Sequence, residues 1–199
     1  MNSRVNFRYF LASLPDLVLH AILLGLRAPA GQFRNLVKAE QLHLTWCVVS
    51  ETLVRDHFML SRVEAALATH TFISGSLPLG RVRGGKHGTA VHSRGRKPEI
   101  MALYRELVAR LAARDLHPLH RKSGFKPHFT LGYDECAFEP FLISHEWSPH
   151  EIVLIESEVG KGIHHILGRW PLLPPPQGFL PFDPPPPPPA LLAVGGRRR

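Results

Sequence analysis

Short apolar runs separated by turn residues alternate along this chain with three longer stretches of helical spacing. Asn6 to Leu14 holds Phe7, Tyr9, Phe10 and Leu11 and predicts a strand. Pro15-Asp16 opens a helix to about Leu26, because a first turn tolerates proline and favours an acid; Gly25, Pro29 and Gly31 end it. Residues 41–49 predict a second strand. From Arg55 to Ala68, Met59, Val63, Ala66 and Leu67 fall at i, i+4, i+7 and i+8, which predicts a helix. Phe72 to Val82 reads as extended, Arg83-Gly84-Gly85-Lys86 as a turn, and Thr89 to His92 as a returning strand. Pro98 to Arg114 carries the clearest apolar stripe, Ile100, Leu103, Leu107 and Leu111, widened by Tyr104 and Val108. Strands are then expected at 126–132, Glu151 to Glu158 and Gly162 to Trp170. Strands and helices in this order predict an α+β fold of mostly antiparallel sheet, in two related halves.

Two of these strands say nearly the same thing. Leu42-His43-Leu44-Thr45 and Pro127-His128-Phe129-Thr130 each place His-x-Thr inside an apolar run, 85 residues apart. Alternate side chains on a strand share a face. His43, Thr45 and Cys47 are therefore expected on one side of the first copy, with Leu42, Leu44, Trp46 and Val48 opposite. In the second, Lys126, His128, Thr130 and Gly132 share a face, with Phe129 and Leu131 opposite. Each strand thus offers an apolar side to a core and a His/Thr side to something else. Two such sides facing each other make one cleft with two imidazoles and two hydroxyls.

Composition narrows what that cleft meets. The net charge is +8; without Asp183 and the terminal Arg197, Arg198 and Arg199 it is still +6, which favours an anionic partner. Two cysteines, Cys47 and Cys136, do not make a disulfide framework, and a reducing cytoplasm is the simpler reading. Arg4 and Arg8 precede an apolar run, but Pro15, Asp16 and His20 interrupt it, against a signal peptide. The longest clean run, Leu17 to Leu26, is too short to span a bilayer. Past Leu172 the chain holds most of its prolines, including the run Pro184 to Pro189, so residues 173–199 are expected to form a disordered or polyproline-II tail behind a 1–172 domain.

A phosphodiester between the two strands gives each residue a job. One neutral imidazole takes a proton from an attacking water, and the other, protonated, gives one to the leaving alkoxide. Each such transfer is worth roughly 10²–10⁴ in rate. The threonines donate to non-bridging oxygens as charge builds on phosphorus, and Lys126 supplies a point charge to phosphate. None of these steps needs a cofactor or a metal.

The chain resembles the 2H phosphoesterase superfamily, and within it the bacterial RNA 2′,3′-cyclic phosphodiesterase / 2′-5′ RNA ligase family. The residues that carry the resemblance are Arg8-Tyr9-Phe10-Leu11-Ala12 with Pro15, Leu42-His43-Leu44-Thr45, Phe125 to Leu131, and Leu167-Gly168-Arg169-Trp170-Pro171-Leu172. They span residues 6–172. The resemblance implies a bilobal fold whose pseudo-symmetric lobes each give one His-x-Thr motif to a central cleft. It implies metal-independent hydrolysis of 2′,3′-cyclic phosphate ends of RNA, or of related cyclic nucleotides, to 2′-phosphates, with a reverse 2′-5′ ligation. It makes His43 the proton donor and His128 the acceptor, in a monomer that needs no protein partner. Trp46 and Cys47-Val48-Val49 depart from the family's habitual residues, with consequences expected for packing more than chemistry. The competing expectations are a basic RNA-binding module of the same fold without turnover, and an interaction protein recognised by its proline tail.

Other features weigh less. Gly80 to His87 nearly matches a phosphate-binding loop, but lacks the final Ser or Thr and the following helix, so it is rejected as a nucleotide site. Tyr9 and Phe10 read as core rather than as base-stacking residues. Arg121 and Lys122 read as steering charges. His164 and His165 point to opposite strand faces and cannot share a metal, while His117 and His120 read as loop residues.

Overall fold

Strand alternation and helical stripes resolve into two layers. The computed structural model describes residues 5–28, 35–86, 88–119, 124–133 and 138–175. Among them are β1 (Phe7–Ser13), α1 (Leu17–Gly25), β2 (Leu44–Thr52), α2 (Met59–Leu67), β3 (Phe72–Ile73) and β4 (Leu77–Arg83). There follow β5 (Thr89–Ser93), α3 (Pro98–Ala112), β6 (His128–Gly132), β7 (Phe141–Trp147), β8 (Glu151–Glu158) and β9 (Ile163–Leu173). The strands form a nine-stranded sheet in the order β3-β9-β8-β1-β2-β6-β5-β4-β7. Every pairing is antiparallel except β3 with β9. The α+β expectation holds.

All three helices bury their stripes in one core on one face of the sheet. Leu19 and Leu23, Met59 and Val63, and Ile100, Leu103, Leu107 and Leu111 meet Tyr9, Leu11, Leu44, Phe129 and Leu131 there. Asp16 caps α1, its side chain accepting from the Leu19 N–H at 2.8 Å, and Pro98 opens α3 as expected. The expected second helix starts later, at Met59, because the Asp56 side chain accepts from the Phe58 N–H and holds the preceding residues in a turn. The opposite face of the sheet carries only a small cluster, Phe10, Ala12, Val153 and Ile155. That face is left for the site.

Two bulges decide which residues reach it. In β2, Leu11 pairs with Cys47 and Ala12 with Thr45, so Trp46 is extra. Strict alternation fails at that point. Cys47 is buried in the main core beside Trp46 and Leu44, not on the face of Thr45, and Val48 packs against the small cluster instead of the main core. Trp46 donates from Nε1 to Ser13 Oγ at 2.8 Å, and Ser13 donates to the Glu151 carbonyl, which pins the bulge across three strands. In β4 the extra residue is Gly80: Leu79 pairs with Ser93 and Arg81 with His92. Leu77 and Leu79 stay in the core, Val82 joins them, and Arg81 and Arg83 turn to the open face.

β7, which the sequence reading did not expect, lies at the sheet edge and pairs on one side only, with β4; Phe141, Ile143 and Trp147 turn to the core and Leu142, Ser144 and Glu146 to solvent. β9 runs past the expected Trp170 because Leu172 and Leu173 pair with Phe72 and Ile73 of β3. The boundary expected at 172 therefore falls one residue short of the strand's end. The proline-rich segment from residue 176 onward lies outside the described residues.

β2 and β6 meet through one registered pair, Leu44 opposite Phe129. Beyond it each strand is bridged by the segment that precedes the other's motif. Leu36 bridges Gly132, and Leu119 bridges Val48, its N–H donating to the Val48 carbonyl at 2.8 Å.

Tyr9 ties β1 to β8 and to the turn before α2. It is fully buried; its hydroxyl donates to Glu156 Oε2 at 2.9 Å and accepts the Asp56 N–H at 2.7 Å. Burial pushes the phenol up to about 12, and Glu156 is itself paired with Arg55 at 3.0 Å. Tyr9→Phe keeps the ring and strips a partner from a buried carboxylate and from a backbone N–H. Urea denaturation should show a loss of about 1–3 kcal/mol with an unchanged m-value.

Candidate functional site

The seam between β2 and β6 sets two imidazoles side by side on the open face. Leu44 and Phe129 are both fully buried on the helix side, so their neighbours in sequence point the other way. With Leu44 opposite Phe129, antiparallel pairing sets His43 abreast of Thr130 and Thr45 abreast of His128. His43 lies just before β2, and Thr45, His128 and Thr130 lie within the two strands. All four are half-buried. The four residues that the sequence singled out are thus adjacent.

The two histidines are held in the same way. His43 Nδ1 donates to the Gln41 carbonyl at 2.6 Å, and His128 Nδ1 to the Lys126 carbonyl at 2.7 Å. Each bond runs to the carbonyl two residues back, fixes the ring, and leaves Nε2 as the atom that takes or gives a proton. Lys126, exposed at the rim, serves His128 through its backbone and adds its charge to the same side.

Around this pair stand residues that local sequence reasoning missed. Phe10 lies on the open face, its ring 5.0 Å from His43 and 5.7 Å from His164, and those two imidazoles are 5.6 Å apart. Tyr9 and Phe10 are both buried as expected, Tyr9 in the main core and Phe10 in the small open-face cluster, where its ring also backs His43. His92 of β5 lies directly opposite His128, its ring 5.6 Å away and nearly parallel. Burial pushes His43 down to about 4, the Gln41 carbonyl opposes that, and the charges of His164 and His128 add to it. Burial pushes His92 down to about 4 as well, helped by Arg83, His128, Arg81 and Lys126. His164 is lowered by burial, His165 and Lys38. The sequence signal for His92 and His164 was faint, because each enters the site by pairing with a strand distant in sequence.

Two depressions flank the histidine pair. The one beside His43, about 270 Å³, mixes Leu14, Ile155 and Ile166 with Lys38, Glu40 and Gln41. Its far wall is tied down by Lys38 and Gln41, both donating to the Gly162 carbonyl. The other lies beside His92 and Lys126 and is strongly basic. Cys47 belongs to neither, and burial pushes its thiol up to about 12. Among the described residues no group of three or more His, Cys, Asp or Glu side chains is placed to hold a metal ion. No described helix is long and apolar enough to cross a membrane. Arg121, Lys122, His120 and Cys136 lie outside the described residues.

No family model matches the sequence, and no curated protein matches it. Solved structures share its fold. A crystal structure of a phosphoesterase superposes with a TM-score of 0.66 at 20% identity, covering 85% of this chain and 99% of that one. E. coli LigT complexed with 3′-AMP gives 0.64 at 20% identity over 85% and 99%. TT0787 of Thermus thermophilus gives 0.66 at 19% over 83% and 97%. At these identities the likeness is one of fold: the chain has the LigT-like α+β fold, consistent with the superfamily that its motifs resemble.

The lowered imidazoles set a pH dependence. His43 and His92 have native values near 4 against an ordinary 6.5, so between those values the unfolded chain binds protons that the native chain refuses. Their contribution to stability is therefore level above pH 6.5 and falls as pH drops toward 4. Urea midpoints at pH 7 and pH 5 should differ in that sense, and His92→Asn should shrink the difference. Proton NMR should show the His43 ring titrating near pH 4.

Proposed function

We propose that this protein is a 2H phosphoesterase that hydrolyses 2′,3′-cyclic phosphate ends of RNA, or related cyclic nucleotides, to 2′-phosphates. The observation that carries the reading is the pair of histidines at the seam, each anchored at Nδ1 by the carbonyl two residues back. A LigT-like fold and a net charge of +8 agree with it. E. coli LigT, whose fold this chain shares, has been crystallised with the nucleotide 3′-AMP.

In this reaction His128 Nε2 takes a proton from water as its oxygen attacks phosphorus. The bond from phosphorus to the ribose 3′ oxygen breaks, and that oxygen receives the proton held by His43. Charge gathers on the non-bridging oxygens, where the Thr45 and Thr130 hydroxyls and the Lys126 ammonium donate. The product is a 2′-phosphate with a free 3′ hydroxyl. Ligation to a 2′-5′ linkage is the reverse of the corresponding cleavage.

The donor role asks something specific of His43. In the free protein its lowered pKa keeps it neutral at pH 7. A phosphodiester seated between the rings brings a negative charge into the same low-dielectric space, which favours the imidazolium and restores the donor. That lowered value is also what favours a second reading, an RNA-binding cleft without turnover.

A 2′,3′-cyclic-phosphate nucleotide followed by phosphorus NMR, with and without EDTA, separates the two. The enzyme reading expects EDTA-resistant formation of a 2′-phosphate, reduced by roughly 10²–10⁴ in His43→Ala and in His128→Ala. Turnover that survives either substitution sinks the two-histidine mechanism, and binding without product in the wild type supports the passive cleft. Role assignment needs the pH profile of kcat. The limb that disappears with His43→Ala should be the one falling at high pH; if it is the low-pH limb, donor and acceptor are exchanged.

A further inference from the structure

The depression beside His92 holds more positive charge than one scissile phosphate requires. It encloses about 300 Å³, and its walls include Arg81, Arg83, Arg94, Lys97 and Lys126 but no carboxylate. Among the described residues, none of these five cations is ion-paired with an acid. Elsewhere arginines on or beside the sheet have partners: Arg8 pairs with Glu51, Arg55 with Glu156 and Arg169 with Glu151. Gathering unpaired cations in one concavity works against folding unless an anion occupies it.

The fold goes out of its way to build this cluster. Without the bulge at Gly80, Arg81 and Arg83 would alternate into the core face with Leu77 and Leu79. Gly80 also makes room for Arg94: a Cβ there would lie 2.1 Å from Arg94 Cδ. The Arg94 N–H donates to the Pro78 carbonyl at 2.9 Å, so that stem is laid across β4. Lys97 stands at the N-cap position of α3, and Phe125 closes the wall, its ring stacked at 4.2 Å on Tyr104. Arg81, His92 and His128 form one cross-strand row on adjacent strands, so the pocket reaches the second histidine through His92, whose ring lies 5.6 Å from it.

The depression beside His43 is different in kind, with apolar walls and with Glu40 beside Lys38. It suits a base, and the cationic one suits phosphate. We propose that the pocket of Arg81, Arg83, Arg94 and Lys97 binds a second phosphate, on the 5′ side of the nucleotide whose cyclic phosphate lies between the histidines. The substrate class is then an RNA end of two or more nucleotides in preference to a nucleoside cyclic phosphate. The direction of the substrate rests on the phosphodiesterase reading, whereas the pocket's demand for a second phosphate does not.

Two measurements keep those claims apart. First, kcat/KM is compared for uridine 2′,3′-cyclic phosphate, its 5′-phosphorylated form, and the dinucleotide UpU with a 2′,3′-cyclic end. The wild type should favour the dinucleotide by roughly tenfold or more, as loss or gain of a charged hydrogen bond implies. The Arg83→Gln/Arg94→Gln variant should lose that preference. A preference shared by the 5′-phosphorylated nucleotide assigns the pocket to any 5′ phosphate; one confined to the dinucleotide assigns it to the diester. Equal kcat/KM on all three overturns the proposal. Second, calorimetry with uridine 3′,5′-bisphosphate and uridine 3′-phosphate needs no turnover. The bisphosphate should bind roughly tenfold tighter, with the gap closed in the variant. Equal affinities overturn the pocket even where turnover is seen, and a preference without any turnover sustains the pocket while sinking the phosphodiesterase. Both arginines are exposed, and Lys97→Gln is the substitute should the double variant fail to fold.

Discussion

One registered pair, Leu44 opposite Phe129, holds the two halves of the sheet together and aims everything on its open face. Both side chains are fully buried against the helices. Because strand side chains alternate with a period of two, burying this pair forces His43, Thr45, His128 and Thr130 to the other face. A slip of one residue would put imidazoles in the core and leucine in the site. The two strands part beyond the pair, and Leu36 and Leu119 fill the edges that open. The open-face residues at the seam are thus placed by strands that touch once and then separate.

Such a site is electrostatically unsettled when empty. His43, His92 and His164 are all lowered, chiefly by burial, and each is lowered further by neighbouring positive charge. Carbonyls at Gln41 and Lys126 fix the two motif rings but offer no full negative charge. The phosphate proposed above would supply one. Its arrival would raise the imidazole pKa values and relieve the repulsion among the arginines at once, which couples binding to protonation. A site of this kind is ready for phosphate and poor at retaining its own proton without it.

Much of this was legible in the sequence, and the parts that were not share a cause. The α3 stripe, the start of α1 near Asp16, both His-x-Thr strands and their core faces follow from spacing within one element. Cys47 and Val48 were placed on the wrong faces because a bulge at Trp46 breaks the alternation, and nothing local announces a bulge. β7 was missed although its burial alternates, because exposed Leu142 and half-buried His145 blur the apolar pattern along the sequence. His92 and His164 were invisible as site residues because their positions depend on pairings with strands far away in sequence. Gly80 was weighed as part of a phosphate-binding loop and rejected. Its role is different, since it turns two arginines outward and gives a third a bed.

The frame is close to symmetric and its flanks are not, and that contrast gives the cleft a direction. Two histidines anchored in the same way do not by their anchoring tell one end of a substrate from the other. The side chains around them do. On the His43 side Phe10, Leu14 and Ile155 make an apolar wall with a mixed-charge rim. On the His128 side the Gly80 bulge delivers cations with no acid among them. A nucleotide has the matching asymmetry, a base at one end of the ribose and a charged linkage at the other. On the proposed reading, the acid and base roles of the two histidines follow from which way the ribose lies, and a glycine two strands from His128 sets that direction by where it places the cations.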